Sequence, residues 1–349
     1  MKFIHTGDIH LGANPDAGFP WSEERTKEIW DSFRGLIEVV RQEGVDLLLI
    51  AGDLFHRQPL MRELKEINYL FSMIPDTRIV LMAGNHDYLQ PDSYYTRFPW
   101  NDNVLGIWEE SCQEIYLSKI HTWVYGFSYY EREITQRKYA QVNSNGKPGM
   151  HILLAHGGDE KHIPMAKEEL LRGGFDYAAL GHIHRPGIIV KDRIAYCGAL
   201  EPLDRNDVGA HGYIKGNYGQ KGVSIEFIPF ARRSYVPLNI IVEPDTTQFS
   251  LEEQIKEKIR QTGKDNLYYI TIQGMRDPDI IFTPEYLSDL GNITGVEDNS
   301  KPDYDIGKMK ESYRGSLIGN YIEHFESDDT PTGKKALYYG LHALLEAKR

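Results

Sequence analysis

The chain has 349 residues, 41% of them apolar and 26% charged. That is too long for one simple core and ordinary in composition for a globular protein; it predicts two domains, or one large domain with an appendage. The formal charge of −12 excludes a generic polyanion binder, so any nucleic-acid chemistry would need local basic patches, metal ions or a partner, although aspartates that bind metal add negative charge without repelling a substrate once loaded. Two cysteines, Cys112 and Cys197, give no disulfide framework and no metal-ligand spacing. No apolar run reaches membrane-spanning length and residues 1–7 read as a strand, so the expected location is cytoplasmic with no membrane partner.

The first predicted strand, 2–6, ends in Gly7-Asp8-Ile9-His10. A helix over 22–42 follows, with Ile29, Phe33, Leu36, Ile37 and Val40 on one face and Gly44 as its stop. Strand 45–50 is apolar throughout, the mark of burial on both faces, and ends in Gly52-Asp53-Leu54-Phe55-His56. A second helix is predicted over 60–74. Strand 79–82 then runs into Gly84-Asn85-His86-Asp87. This alternation of strand and helix predicts right-handed crossovers and a parallel central sheet. Further on, strands at 114–117 and 123–127 precede a polar loop over 139–149. Strand 152–155 ends in His156-Gly157-Gly158-Asp159, a short helix spans 164–172, and strand 177–180 leads into Gly181-His182-Ile183-His184. Short strands at 188–191 and 194–196, a glycine-rich segment over 207–222 and a strand at 223–229 complete this part.

Composition changes at Ala231-Arg232-Arg233. A strand (236–242), a helix (251–261) and a strand (267–273) then predict a small α/β domain, with Ser250 and Glu253 as a capping box and Gly263 as the helix stop. Residues 306–325 read as one amphipathic helix with Met309, Tyr313, Leu317, Tyr321 and Phe325 in line. A polar linker over 327–335 precedes a final helix from 336.

Five strand ends therefore carry carboxylate, imidazole or carboxamide groups, most of them after a glycine that lets the backbone turn close to a bound ion. In open α/β sheets, ligands sit beyond the carboxyl ends of strands. The donor types suit manganese, iron or zinc, with no thiolate to force a structural zinc site. Seven candidate ligands exceed one ion's needs, and a shared aspartate bridging two ions would use them all. Two such metals clamp a phosphoryl group and activate water for in-line displacement, with inversion at phosphorus.

Taken in order, Gly7-Asp8-Ile9-His10, Gly52-Asp53, Gly84-Asn85-His86-Asp87, His156 and Gly181-His182-Ile183-His184 resemble the five motifs of the calcineurin-like metallophosphoesterases. Gly52 to His56, Ala155-His156-Gly157 and the run from Tyr196 to Asp204 are similar to those of SbcD-type double-strand-break repair nucleases, in a YhaO-like bacterial branch. The resemblance implies an α/β fold: a metallophosphoesterase β-sandwich flanked by helices over 1–232, a DNA-capping α/β domain over 233–300, and C-terminal helices over 301–349 that dock on an SbcC-type coiled-coil ATPase. It implies two divalent ions, with manganese expected. Asp8, His10, Asp53 and His184 would hold one; Asp53, Asn85, His156 and His182 would hold the other. His86 would act on the leaving oxygen, Asp87 would orient His86, and His56 would contact the phosphate backbone. The implied activity is metal-dependent exonuclease and endonuclease hydrolysis of DNA in repair and recombination, by a homodimer formed through the region of the 60–74 helix and the stretch after the Asn-His-Asp motif. Arg232 and Arg233, and Lys161 with His162, are the basic candidates for DNA contact. A small-substrate nucleotide phosphodiesterase and a non-catalytic scaffold for DNA ends or the ATPase stay open at this point.

Overall fold

The computed structural model describes residues 1–348, so position 349 of the predicted C-terminal segment lies outside the described residues. The chain forms two compact units. The first comprises Met1–Pro237 and Gly263–Tyr269, the second Leu238–Thr262 and the chain from Ile270 onward.

Two six-stranded sheets make the first unit. One runs Gly222–Pro229, Gly212–Gly219, Lys2–Thr6, Leu47–Ala51, Arg78–Met82, Val104–Ile107; the other runs Gln113–Leu117, Thr122–Gly126, Met150–His156, Tyr177–Gly181, Ile194–Tyr196, Gly187–Val190. The expectation of a parallel sheet holds for the four strands from Lys2–Thr6 to Val104–Ile107. It fails at the edge, where the hairpin of Gly212–Gly219 and Gly222–Pro229 adds antiparallel to Lys2–Thr6 and makes the sheet mixed. More than half of the glycine-rich segment over 207–222 is thus strand. Gly216 sits where Phe3 leaves no room for a side chain, so glycine serves packing there rather than a turn.

Alternate side chains of the buried strands divide between two cores. Leu47, Leu49, Ala51, Val80 and Met82 face inward and meet Val124, Ile152, Leu154, Tyr177 and Ala179 of the second sheet. Leu48, Ile50, Ile79 and Leu81 face outward onto Ile29, Phe33, Leu36 and Val40 of the helix Ser22–Glu43 and Leu64, Ile67 and Phe71 of the helix Met61–Ser72. The outer face of the second sheet is covered by Tyr139, Val142, Ile163, Leu170 and Phe175. The predicted polar loop over 139–149 therefore starts with a buried anchor, Tyr139, stacked on Phe127 at 4.4 Å. The result is a helix–sheet–sheet–helix sandwich, the fold class expected from the motifs.

Register decides where the polar tips go. Thr6 lies opposite Ile50, Ala51 opposite Met82, and His156 opposite Gly181, so neighbouring strands end at one level. His156 Nδ1 lies 2.8 Å from the Ala51 carbonyl oxygen, which ties the two sheets together at that same end.

The segment Gly263–Tyr269 is fixed to the first unit by Leu267 N–H donating to Ser234 O (3.0 Å) and Ser234 N–H donating to Asn266 Oδ1 (2.9 Å). The strands Tyr235–Val242, Leu267–Arg276 and Ile293–Asp298 form a sheet in that order, the first two belonging to the second unit from Leu238 and Ile270 onward, and the helix Gln248–Thr262 of that unit buries Leu251, Ile255 and Ile259. The predicted Ser250–Glu253 capping box is replaced by a reciprocal pair one turn earlier. Thr247 N–H donates to Ser250 Oγ (2.9 Å) and Ser250 N–H to Thr247 Oγ1 (3.2 Å), because the helix starts at Gln248.

The single amphipathic helix expected over 306–325 is two, Ile306–Ser312 and Leu317–Phe325. Gly315, at φ +75°, breaks it, and Ser316 Oγ caps the second piece by accepting from Gly319 N–H. The stripe is accordingly split: Met309 and Tyr313 pack on a small core of Ile318, Ile322 and Leu341, while Leu317 is exposed. The last helix begins at Pro331, earlier than the expected 336, with Thr330 as its cap and Pro at its first turn. The short helix expected over 164–172 covers only Lys167–Arg172.

Candidate metal centre

Five loops leave the aligned strand ends and converge. The backbone knits them first: Ile9 and His10 N–H both donate to Asp53 O (3.0 Å each), and His182 N–H donates to the Asp8 carboxylate (2.8 and 3.0 Å). Asp8, His10, Asp53 and His182 all hold positive φ, from 48° to 91°. Non-glycine residues in that region cost roughly 1–3 kcal/mol each and persist where surrounding structure over-determines them. Clearance is built in at two glycines. A Cβ on Gly52, at φ +83°, would sit 2.5 Å from His156 Nδ1, and one on Gly84 would collide with the Asp53 carboxylate.

The side chains form two groups with Asp53 between them, and Asp8 also reaches both, its Oδ1 lying 3.9 Å from His156 Nδ1. Asp8, His10 and His184 present donor atoms all within 4.8 Å of one another, with His10 Nε2 and His184 Nε2 3.1 Å apart. On the other side His156 Nε2 and His182 Nδ1 lie 2.8 and 3.0 Å from Asn85 Oδ1. Asp53 Oδ1 is taken by His86 N–H (2.9 Å). Its Oδ2 faces both groups, 3.8 Å from His10 Nε2 and 3.4 Å from His156 Nε2.

These spacings fit divalent ions. Ligand bonds of about 2.1 Å place adjacent donors about 3.0–3.4 Å apart. His10 Nε2 and His184 Nε2, 3.1 Å apart, share a proton without metal and are spaced as two donors to one ion would be. Asp8, His10, Asp53 and His156 are fully buried or nearly so, which a charged cluster tolerates only when compensated.

Proton affinities show the same need. Burial pushes Asp8 up to about 6 against the pull of His156 and His184. Burial also opposes ionisation of Asp53, yet His156 and His10 hold it far below the usual carboxylate range. Burial disfavours charge on His156, but Asp53 and Asp8 outweigh it and raise the imidazole to about 9. His184 is also raised to about 9, Asp207 and Asp8 overcoming burial. Burial carries His10 well below its ordinary value and His182 down to about 4. Without metal, the carboxylates are balanced by protons on two imidazoles, and divalent ions would displace those protons.

His86 and His56 stand beside the first group. The His86 ring is 4.8 Å from that of His10 and stacks at 4.9 Å on His56, which is exposed. The expected Asp87–His86 pairing is not what the structure shows. Asp87 folds back into its own turn and accepts from Gly84 N–H (2.8 Å), Phe55 N–H (3.0 Å) and Tyr95 O–H (2.6 Å). It therefore fixes the loop backbone, while His86 Nδ1 lies 3.3 Å from His56 O. Burial first, and Asp53 second, push Asp87 up to about 7.

Of the basic candidates, Arg233 is drawn into the fold, while Arg232 and Lys161 stay exposed in surface ion pairs. Arg233 is buried with Nε 2.7 Å from Glu28 and Nη2 2.7 Å from Glu24, so it is not a free cation. Arg232 is half-exposed, 3.8 Å from Asp31. Lys161 pairs with Glu133 at 3.6 Å and His162 with Asp159 at 2.9 Å. A buried arginine missed in the sequence, Arg25, lies 2.6 Å from Glu28 and 3.5 Å from Glu201 and donates to Pro202 O (2.6 Å), pinning the segment from Tyr196 to Asp204 to the first helix.

The sequence profile of calcineurin-like phosphoesterases matches residues 1–186, more than half of the chain. Among curated proteins, the chain is 27% identical over 314 residues to the uncharacterized metallophosphoesterase YhaO of Bacillus subtilis, covering 82% of this chain and 74% of that one. It is 23% identical over 361 residues to the SbcD component of the nuclease SbcCD of Staphylococcus epidermidis, covering 93% of each. Against the DNA double-strand break repair protein Mre11 of Aeropyrum pernix the identity is 28% over 240 residues, 60% of this chain and 56% of the relative. Among the described residues no helix is long and apolar enough to cross a membrane. With its sandwich, its clustered carboxylates and imidazoles and its profile match in agreement, this chain belongs to the calcineurin-like phosphoesterase family and is a metal-binding phosphoesterase.

Proposed function

We propose that this chain is a two-metal DNA nuclease that hydrolyses phosphodiester bonds at DNA ends, with manganese as its working ion. The observation that carries the reading is Asp53 Oδ2, 3.8 Å from His10 Nε2 in the Asp8–His10–His184 group and 3.4 Å from His156 Nε2, which with His182 meets Asn85 Oδ1, while the His86 ring stands beside His10. Bound divalent ions would supply Lewis acidity toward the phosphoryl oxygens and lower the pKa of the attacking water.

The chain's own residues supply the rest. His86, half-buried and stacked on His56, is positioned to give a proton to, or share one with, the leaving oxygen. Exposed His56 offers a donor toward a backbone phosphate. Asp87 and Tyr95 hold the Gly84–Asp87 turn, and through it His86, at the height of the metal groups. The names of the Staphylococcus and Aeropyrum relatives, a nuclease and a DNA double-strand break repair protein, support DNA as substrate and repair as context.

The second unit would act as a DNA-capping unit, and the C-terminal helices would dock on an SbcC-type coiled-coil ATPase through exposed Leu317. The helix Met61–Ser72 exposes Tyr69, a suitable centre for homodimer contact.

Cleavage of end-labelled linear duplex DNA with manganese, beside a chelated control, a His86→Ala variant and a mononucleotide diester, tests the reading. Metal-dependent shortening of duplex that fails in the variant is expected. A strong preference for the mononucleotide would replace the reading with a small-substrate phosphodiesterase, and a folded chain with neither activity nor metal would mark a scaffold.

A further inference from the structure

His182 and His184 sit two residues apart, yet each turns one ring nitrogen to the metal groups and the other to a carboxylate outside the expected ligand set. His182 Nδ1 lies 3.0 Å from Asn85 Oδ1, and its Nε2 lies 2.8 Å from Asp159 Oδ2. His184 is used the other way round: Nε2 lies 3.1 Å from His10 Nε2, and Nδ1 lies 3.1 Å from Asp207 Oδ2. A carboxylate accepts only an N–H, and as a charged acceptor it competes for the ring proton more strongly than the Asn85 amide oxygen or a neighbouring imidazole, so each contact favours the tautomer whose opposite nitrogen, once free of any second proton, turns its lone pair to a cation. We infer that Asp159 and Asp207 are positioning residues, each dedicated to one ion: Asp159 makes His182 an Nδ1 ligand of the Asn85–His156 ion, and Asp207 makes His184 an Nε2 ligand of the Asp8–His10 ion. The inference rests on the two-metal reading and deepens it.

Both carboxylates are themselves held in place. Asp159 Oδ1 accepts from the backbone N–H of Lys161 (2.8 Å) and His162 (2.9 Å). The ring of His162 closes on the same carboxylate, Nδ1 at 2.9 Å, and packs 4.4 Å from the ring of His182. Asp207 Oδ2 accepts from Leu203 N–H (2.8 Å), in the loop that Arg25 pins through Pro202 O. The two differ in exposure: the Asp207 side chain is 11% exposed and Asp159 46%. Substitution at Asp159 therefore threatens the fold less, and Asp159 carries the decisive test. A carboxylate behind a histidine ligand typically contributes ten- to a hundred-fold in metal affinity.

The test is a manganese titration of the full chain by calorimetry, with bound metal counted per chain. It compares wild type with Asp159→Ala, Asp207→Asn, His182→Ala and His184→Ala, each checked for folding by circular dichroism and thermal melting. The expected result is pairing by site: Asp159→Ala weakens, by about ten- to a hundred-fold, the same ion that His182→Ala loses and leaves the other within about two-fold. Asp207→Asn does the same for the ion that His184→Ala loses. Asp159→Glu, which keeps the charge, recovers part of the lost affinity. In the metal-free protein, nitrogen-15 spectra of the histidine rings should show His182 protonated at Nε2 in wild type and shifted toward the other tautomer in Asp159→Ala.

Two ions bound with unaltered affinities in a folded Asp159→Ala, with an unaltered His182 tautomer, would overturn the assignment and leave the two-metal reading intact. Equal weakening of both ions with a lowered melting temperature would also overturn it, because that is the signature of general support. A folded wild type that binds no manganese would instead sink the two-metal reading, while the tautomer measurement still reports on Asp159 and His182.

Discussion

The two units handle their sheets differently. In the first, Leu47–Ala51, Met150–His156 and Tyr177–Gly181 are buried at every position, covered by the partner sheet on one face and by helices or loops on the other. In the second, the strand residues from Leu238 to Val242 alternate buried and open positions, and Ile241, Phe249, Ile281 and Tyr286 are exposed. Strands covered on both faces cannot shift register without inverting two cores, so their ends form a rigid rim on which ligands can be placed within tenths of an ångström. A one-sided sheet leaves a face for other molecules. The difference teaches that this chain keeps its chemistry on the first unit and leaves open surface on the second.

The comparison breaks most sharply at Asp53. Asp53→Ala should abolish metal-dependent phosphodiester hydrolysis and leave at most one manganese per chain, while Phe249→Ala in the second unit leaves metal content unchanged. Persistence of two ions in folded Asp53→Ala would show that the groups do not share that carboxylate. Next comes His86→Ala, expected to lower turnover by about 10²–10⁴-fold, the usual range for a positioned proton donor, with manganese binding intact. Lost metal in that variant would make His86 a ligand instead.

Core substitutions separate the units energetically. Leu49→Ala, in the inner core of the sandwich, and Leu251→Ala, under the helix of the second unit, should each cost about 2–5 kcal/mol in urea unfolding. Only Leu49→Ala should also reduce manganese affinity. Equal metal loss from both would mean that the units do not divide the work.

The pH dependence has opposite signs with and without metal. His156 and His184 are raised to about 9 in the folded protein. Their contribution to the metal-free fold is therefore fully present below the unfolded histidine value of about 6.5 and is lost as pH rises through about 9. Thermal melting of the chelated protein should fall over that window. Manganese must displace the same protons, so its affinity should rise over the same window. Affinity that is flat from pH 6.5 to 9 would contradict proton competition at these imidazoles. The smallest effect is expected at the surface: Leu317→Asp should change stability by less than about 0.5 kcal/mol yet weaken capture by an SbcC-type ATPase. Unchanged capture would remove that helix from the docking surface.

Much of the first unit was legible because continuous apolar runs mark strands buried on both faces, and because polar groups repeated at five strand ends have no ordinary structural reason to recur. What the sequence could not display was direction. Nothing in Gly-Asn-His-Asp says that Asp87 folds back onto Gly84 and Tyr95 rather than onto His86. Asp159 stood in plain view at the end of a strand-end run, and Asp207 just beyond the Tyr196–Asp204 stretch, but their partners are 23 residues away and depend on loop paths. Arg233 looked like a free basic residue because its partners, Glu24 and Glu28, lie on the first helix, about two hundred residues earlier. In the second unit a single glycine, Gly315, turned one expected helix into two, a break that the apolar periodicity masks.

The most direct measurement is the number of manganese ions bound per folded chain at equilibrium, by dialysis followed by elemental analysis. The account predicts two, falling to one or none in Asp53→Ala. A single ion in the wild type, unchanged by that substitution, would contradict the shared aspartate on which the two-metal chemistry depends.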